Sequence, residues 1–204
     1  MEKLSLLKWL AWSDALLSGT LPTELGLCSD LAQIELAHNT FSGTVPSEIG
    51  RLSTLQELNL KHIPSLSGTI PEELYNLVEL KACVFAGHDN LTGTLSTKIG
   101  QLSNILHFQV AKTSISGTVP SEFGMLDNLA QLDLASNKLT STIPVEISGA
   151  SRLKIFVLQH NKIEGTIPDD LFNIQSLGSL GFYNMSLSGT LSTKFGRMTN
   201  LECK

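Results

Sequence analysis

The stretch Leu31-Ala-Gln-Ile-Glu-Leu-Ala-His-Asn-Thr-Phe-Ser-Gly-Thr-Val-Pro46 decides the fold of this chain. Ile34 and Leu36 alternate with Gln33 and Glu35, the period-two pattern of a short strand with one face inward. Gly43 and Pro46 then punctuate a turn. The pattern recurs along the whole chain. The tripeptide Ser-Gly-Thr, or a close variant, is centred on Gly19, Gly43, Gly68, Gly93, Gly117, Ser141, Gly165 and Gly189, in steps of 24 or 25 residues. The apolar skeleton recurs with it. Cys28, Leu31, Ile34, Leu36, Phe41, Val45 and Ile49 in the second unit become Leu126, Leu129, Leu132, Leu134, Leu139, Ile143 and Ile147 in the sixth.

A fixed period of this size marks a stacked array. One unit cannot bury its own apolar face, but stacked units can, and their strands then form a parallel sheet. Eight strands at about 4.8 Å give a sheet on the order of 35–40 Å long. After the glycine come Pro22, Pro46, Pro71, Pro120, Pro144 and Pro168, and two residues later Glu24, Glu48, Glu73, Glu122, Glu146 and Asp170. Proline opening a helical turn, with an acid near its free N–H groups, predicts a short helical turn on the convex side of each unit. Units four and eight replace the pair with Ser96 and Lys98, and with Ser192 and Lys194, so their turns should differ.

Composition narrows the function classes. With 42% hydrophobic and 16% charged residues among 204, the chain can bury a large core. A net charge of −5 argues against a nucleic-acid partner, which would call for clustered Lys and Arg. No stretch reaches the roughly 18 apolar residues of a membrane span. Leu4, Leu7, Leu10 and Trp12 belong to the first unit's skeleton, so they are not read as a signal peptide, and no targeting signal is found. Cys28 and Cys83 occupy core slots and are read as small buried hydrophobes, with Cys203 near the end of the chain. No catalytic, cofactor or metal-binding motif is present.

The Leu-x-x-Leu-x-Leu-x-x-Asn stem followed by Ser-Gly-Thr-Val-Pro, quoted above from Leu31 to Pro46, resembles the plant-type leucine-rich repeats. The resemblance covers nearly all of residues 1–204 as a single array. It implies an α/β solenoid, a right-handed superhelix with a parallel concave sheet and short helical turns on the convex side. Similar arrays form receptor-like kinase ectodomains and polygalacturonase inhibitors, which implies a non-catalytic binding role, extracellular or at the cell surface if the chain is part of a receptor-like protein. The family's turn Asn is matched by Asn39, Asn137 and Asn161. Ala15, Thr113 and Met185 replace it, and the inserted residue of the 25-residue units, around His62-Ile63-Pro64 and Gly87-His88-Asp89, leaves the slot ambiguous there. A looser turn ladder is expected at these places. The family's cysteine-paired caps are missing, so the array is expected to lack both end caps and to self-associate, with Met198 and Leu201 uncovered.

The concave face should carry recognition. Its outward positions are Gln33, Glu35 and His38, then Glu57, Asn59, Lys61 and His62, then Val84 within an apolar floor of Ala82, Ala86 and Gly87. Later units add His107, Gln109, Lys112, Gln131, Asp133, Gln159, His160 and Tyr183. A polar rim around an apolar patch is the anatomy of an interface centre, so the main contact is placed on units two to five with Val84 near its middle. The expected partner is a protein, a peptide or a glycan. His38 and His62 should lie on adjacent strands, with no third ligand for a metal. Asn90-Leu91-Thr92 and Asn184-Met185-Ser186 match the N-glycosylation pattern. A competing reading is a structural or ice- or crystal-surface-binding array, built on the ladder Thr20, Thr44, Thr69, Thr94, Thr118, Thr142, Thr166 and Thr190. Leu132 should lie in the continuous core, and Leu132→Ala is expected to cost about 2–5 kcal/mol through lost burial and a cavity. A denaturation midpoint unchanged by that substitution would show the register to be wrong.

Overall fold

A computed structural model of the chain describes residues 6–198 and 200. Eight strands, one per unit, form the parallel concave sheet: β1 (Trp9–Ala11), β2 (Gln33–Glu35), β3 (Glu57–Asn59), β4 (Ala82–His88), β5 (His107–Thr113), β6 (Gln131–Asp133), β7 (Ile155–Val157) and β8 (Ser179–Gly181). Their order in the sheet is their order in the chain. The register puts Leu10, Ile34, Leu58, Cys83, Phe108, Leu132, Phe156 and Leu180 in one line. Seven of these are buried, Leu132 at 0% exposure, and Leu180 at the far strand is half-buried. Cys28 and Cys83 are buried in the same core, and burial raises both thiols above their ordinary pKa. Cys203 and Leu201 lie outside the described residues. At the first unit Leu6, Trp12 and Leu16 are exposed.

The convex side consists of eight five-residue 3-10 turns, from Thr23–Leu27 to Thr193–Arg197. In six units proline is the N-cap, one position earlier than a proline inside the first turn, in an extended conformation that sends the chain into the turn. Units four and eight keep the turn but change its chemistry. Ser96 and Ser192 accept the backbone N–H of Lys98 and Lys194 at 3.3 and 3.2 Å, the side-chain cap that proline cannot supply. Lys98 then pairs with Glu72 of the preceding unit at 3.2 Å, and Lys194 with Asp170 at 3.4 Å.

The turn slot explains how each strand ends. Asn39 Nδ2 donates to Trp12 O and Leu36 O at 2.7 and 2.9 Å, while its Oδ1 accepts the N–H of Leu17 at 2.9 Å. Asn161 repeats the arrangement on Leu134 O, Leu158 O and the N–H of Leu139. One buried amide thus satisfies backbone groups of two units at once. The two ambiguous slots are filled by Ile63 and His88, both at 0% exposure, and the extra residue of each longer unit follows the slot. In unit five, Thr113 Oγ1 donates to Asn137 Oδ1 and accepts the N–H of Ile115. His88 Nδ1 lies 2.8 Å from Ile63 O, but its Nε2 is buried with no partner.

Burial, above all, holds His88 below its ordinary pKa, although backbone carbonyls of Ile63 and Leu60 pull the other way. The fold therefore resists charging His88, whereas the unfolded chain takes up the proton near pH 6.5. Stability contributed by the neutral ring is full above that pH and declines as pH falls below it. The melting temperature should fall between about pH 7 and pH 5. His88→Asn, which restores the amide ladder, should flatten that decline relative to the native chain, with His62 leaving a smaller slope in both. Equal slopes in the two proteins would place the titration elsewhere.

Candidate functional site

Outward positions of neighbouring strands lie side by side, so their polar groups pair across the sheet. Gln33 Nε2 donates to Glu57 Oε2 at 2.9 Å, Asn59 Nδ2 to Glu35 Oε2 at 2.8 Å, and Gln109 Nε2 to Asp133 Oδ2 at 2.9 Å. The acids of the face thus lie in its middle columns, each beside a neutral amide.

One edge of the face is built differently. The residue before each turn slot is left-handed in every unit: Asp14, His38, His62, Gly87, Lys112, Ser136, His160 and Asn184, with φ from 52° to 59° except for Gly87 at 81°. A non-glycine residue there costs about 1–2 kcal/mol. Where the following slot holds Asn39, Thr113, Asn137 or Asn161, its hydrogen bonds offset this, because the bend delivers the slot side chain to the backbone or side-chain groups it bonds. Four of these eight residues are His or Lys: His38, His62, Lys112 and His160. The His38 and His62 rings lie 4.8 Å apart in the bends that follow adjacent strands. The His62 ring lies over Gly87, where a Cβ would come within 2.6 Å of His62 Nδ1. His62 is held below its ordinary pKa by burial first, then by the charges of His38, Lys61 and Lys112. Among the described residues no three His, Cys, Asp or Glu side chains converge as a metal group.

Beside this column lies a cleft of about 300 Å³ running from unit three to unit eight. Eight of the residues singled out in the sequence line it: Lys61, His62, Gln109, Lys112, Asp133, Gln159, His160 and Tyr183. His160 meets Tyr183 edge to face at 5.2 Å, and Asn184 Nδ2 lies 2.7 Å from His160 Nδ1. Gln159 Oε1 is buried without a partner. The floor is Ala86, Ala111 and Ala135, a small apolar cluster of its own against which Val84 and Val157 pack. Alignment of the residue that follows the last inward apolar position of each strand would have revealed this stripe, since Ala37, Ala86, Ala111 and Ala135 all occupy that place.

The other candidates are dispersed. Gln33, Glu35, Glu57 and Asn59 face outward on units two and three, His38 stands beside His62, and Val84 borders the floor; none of these lines the cleft. His107 and Gln131 line a separate hollow. The cleft is displaced from units two to five because the alanines that leave room for it lie in units four to six.

The threonine ladder is exposed along its whole length. Its methyls also pack between units: a Cβ on Gly68 would come within 2.7 Å of Thr44 Cγ2, and one on Gly93 within 2.9 Å of Thr69 Cγ2. The hydroxyl before the glycine stitches the units together, as where Ser67 Oγ donates to Gly43 O at 3.1 Å.

A family model described as Leucine Rich Repeat matches residues 128–150 and 152–174. No curated protein matches the sequence. Among solved structures, the chain is 26% identical to the leucine-rich-repeat ectodomain of the membrane receptor kinase GASSHO1/SCHENGEN3 of Arabidopsis thaliana, solved with CASPARIAN STRIP INTEGRITY FACTOR 2; the match has a TM-score of 0.92 over 96% of this chain and 23% of that one. It is 32% identical to the Arabidopsis receptor kinase HAESA, solved with the peptide hormone IDA and a co-receptor, with a TM-score of 0.84 over 89% of this chain and 30% of that one. A leucine-rich-repeat protein of Leptospira interrogans is 25% identical, with a TM-score of 0.75 over 90% of this chain and 45% of that one. The chain thus spans less than half the length of each of these structures.

The left-handed column gives a direct test. Gly87→Ala places a side chain at positive φ against His62 and should destabilise the fold by about 1–2 kcal/mol in chemical denaturation. The same substitution should shift the His62 ring resonances. Wild-type stability with an unmoved His62 ring would contradict this packing.

Proposed function

We propose that this leucine-rich-repeat array is of the plant type and that its concave face is a non-catalytic recognition surface for a peptide or an extended protein segment. The observation that carries this reading is the convergence of eight candidate side chains, from Lys61 to Tyr183, around an alanine floor. An apolar floor with a polar rim excludes water from the centre of a contact while the rim supplies direction. His160 and Tyr183 form an exposed aromatic corner of the kind that anchors an interface. The Lys61, His62 and Lys112 edge favours an acidic group on the ligand, and Asp133 opposite favours a donor.

The likeness to two Arabidopsis ectodomains solved with their ligands supports the same reading. On it, this chain contributes one stretch of a receptor-like ectodomain. The threonine column is not needed as a binding surface, because its methyls pack on the glycines of the next unit.

The experiment is a selection of peptides from a random displayed library on the immobilised chain, followed by affinity measurements on variants. Lys112→Glu, on an exposed rim residue, should weaken the selected peptides by about ten-fold or more, equivalent to about 1.4 kcal/mol. Val84→Arg, at the border of the floor, should weaken them as well without unfolding the chain. Glu48→Arg on the convex turn should leave affinity unchanged. Peptides that ignore both concave substitutions and are lost with Glu48→Arg would sink the concave-face reading.

A further inference from the structure

A second hollow, of about 480 Å³, opens on the same sheet at the end where the strands begin. Its origin is a size pattern in the residue that precedes each strand. Across units five to eight these positions hold Leu106, Ala130, Lys154 and Gly178, so a small residue sits between two large ones. The backbone clamps them at sheet spacing: Ala130 N donates to Leu106 O, and Lys154 N to Ala130 O, each at 2.8 Å. In units three and four the corresponding Gln56 and Lys81 fill the space by bonding to each other at 2.9 Å. In units five to seven Ala130 leaves that space open.

Its walls divide cleanly by chemistry. Leu106, Ala130 and Ile155 make an apolar floor, and Leu106 is exposed at 37%. The charged or titratable lining residues are His107, Arg152 and Lys154, with no carboxylate. Arg152 Nη1 donates to the neutral Asn128 Oδ1 at 2.8 Å, and Asn128 in turn donates to Ser103 O at 3.0 Å, which fixes the guanidinium at the rim. Among the described residues, neither Arg152 nor Lys154 has a carboxylate within ion-pair distance. Two cations without counter-charges above an apolar floor, in a chain of net charge −5, form a local field opposite to that of the whole.

We propose that this hollow is a second recognition site, which takes an acidic peptide segment carrying one large apolar side chain flanked by Asp or Glu. The apolar side chain covers Leu106, Ala130 and Ile155, and the flanking carboxylates meet Arg152 and Lys154. Arg152 retains free N–H groups beyond the one given to Asn128, so it binds a carboxylate through a charge-assisted hydrogen bond. The site goes beyond the alanine-floored cleft and stands without it, since the two have no lining residue in common.

The test uses three synthetic peptides: acetyl-Gly-Glu-Phe-Glu-Gly-amide, its counterpart with Gln for Glu, and its counterpart with Ala for Phe. Binding is followed by backbone amide NMR on the full chain. The acidic phenylalanine peptide should give saturable shifts centred on Leu106, Ala130 and Ile155, and each counterpart should bind about ten-fold more weakly. Arg152→Gln with Lys154→Gln should weaken the acidic peptide to the level of its Gln counterpart. Ala130→Phe fills the floor and should abolish the shifts while the melting temperature stays near that of the native chain. If Ala130→Phe unfolds the chain, the Arg152 and Lys154 variants decide alone. Tyr183→Ala, which cuts the alanine-floored cleft, should leave this binding intact. Equal affinity for the Glu and Gln peptides, an absence of saturable shifts, or shifts centred on Ala86, Ala111 and Ala135 of the first cleft would each overturn the proposal. None of these outcomes touches the first cleft's selected peptides, so the two readings fail separately.

Discussion

The whole structure depends on one constraint: no single unit can satisfy its own backbone or bury its own leucines. Each short strand is completed by the units on either side. Leu132 is fully buried because Phe108 and Phe156 stand beside it in register. Asn161 bonds the carbonyl of its own unit and that of the unit before. In six units, from Gly43 to Gly189, the glycine of the Ser-Gly-Thr segment lets the threonine methyl of the unit before approach. Stability is thus a property of interfaces between repeats, and the period of 24 or 25 residues follows from keeping all these interfaces in step.

The same constraint makes the departures from the repeat informative. Of the five turn slots without Asn, those of the first and last units, Ala15 and Met185, stand at the ends of the array, while Ile63, His88 and Thr113 are consecutive and include both longer units. The residues just before those slots are His62, Gly87 and Lys112, the basic edge of the alanine-floored cleft and the gap within it. His88 lies buried where an amide would be better satisfied, with one ring nitrogen unpaired. Local rules are broken beside the cleft, as expected of a surface shaped for binding more than for stability.

Charge on the concave face is sorted by column. Carboxylates lie in the middle columns beside neutral amides, His and Lys crowd one edge, and Arg152 and Lys154 stand at the other. A ligand lying along the strands of units five to seven therefore crosses cationic, acidic and again cationic ground. Such an alternation discriminates among ligands by the penalty on wrong charges as much as by attraction to right ones.

The fold is legible in the sequence because its cause is local and repeated. Ile34 and Leu36 announce a strand and Gly43 and Pro46 a turn; the strand spacing returns in all eight units, Gly in seven and Pro in six, so the alternation alone decides which side chains face outward. Lys61, His62, Lys112, Gln159 and Tyr183 are outward residues on that basis, and they do line one cleft. The sequence could not say that the cleft centres on Ala111 instead of Val84, or that Ala130 opens a second hollow, because a cavity is the space left between side chains of different units. It was equally silent on the slots of the longer units. Only the stacked backbone decides whether Ile63 or Pro64, His88 or Asp89, turns inward, since that choice rests on which carbonyls of the neighbouring repeat are left to satisfy.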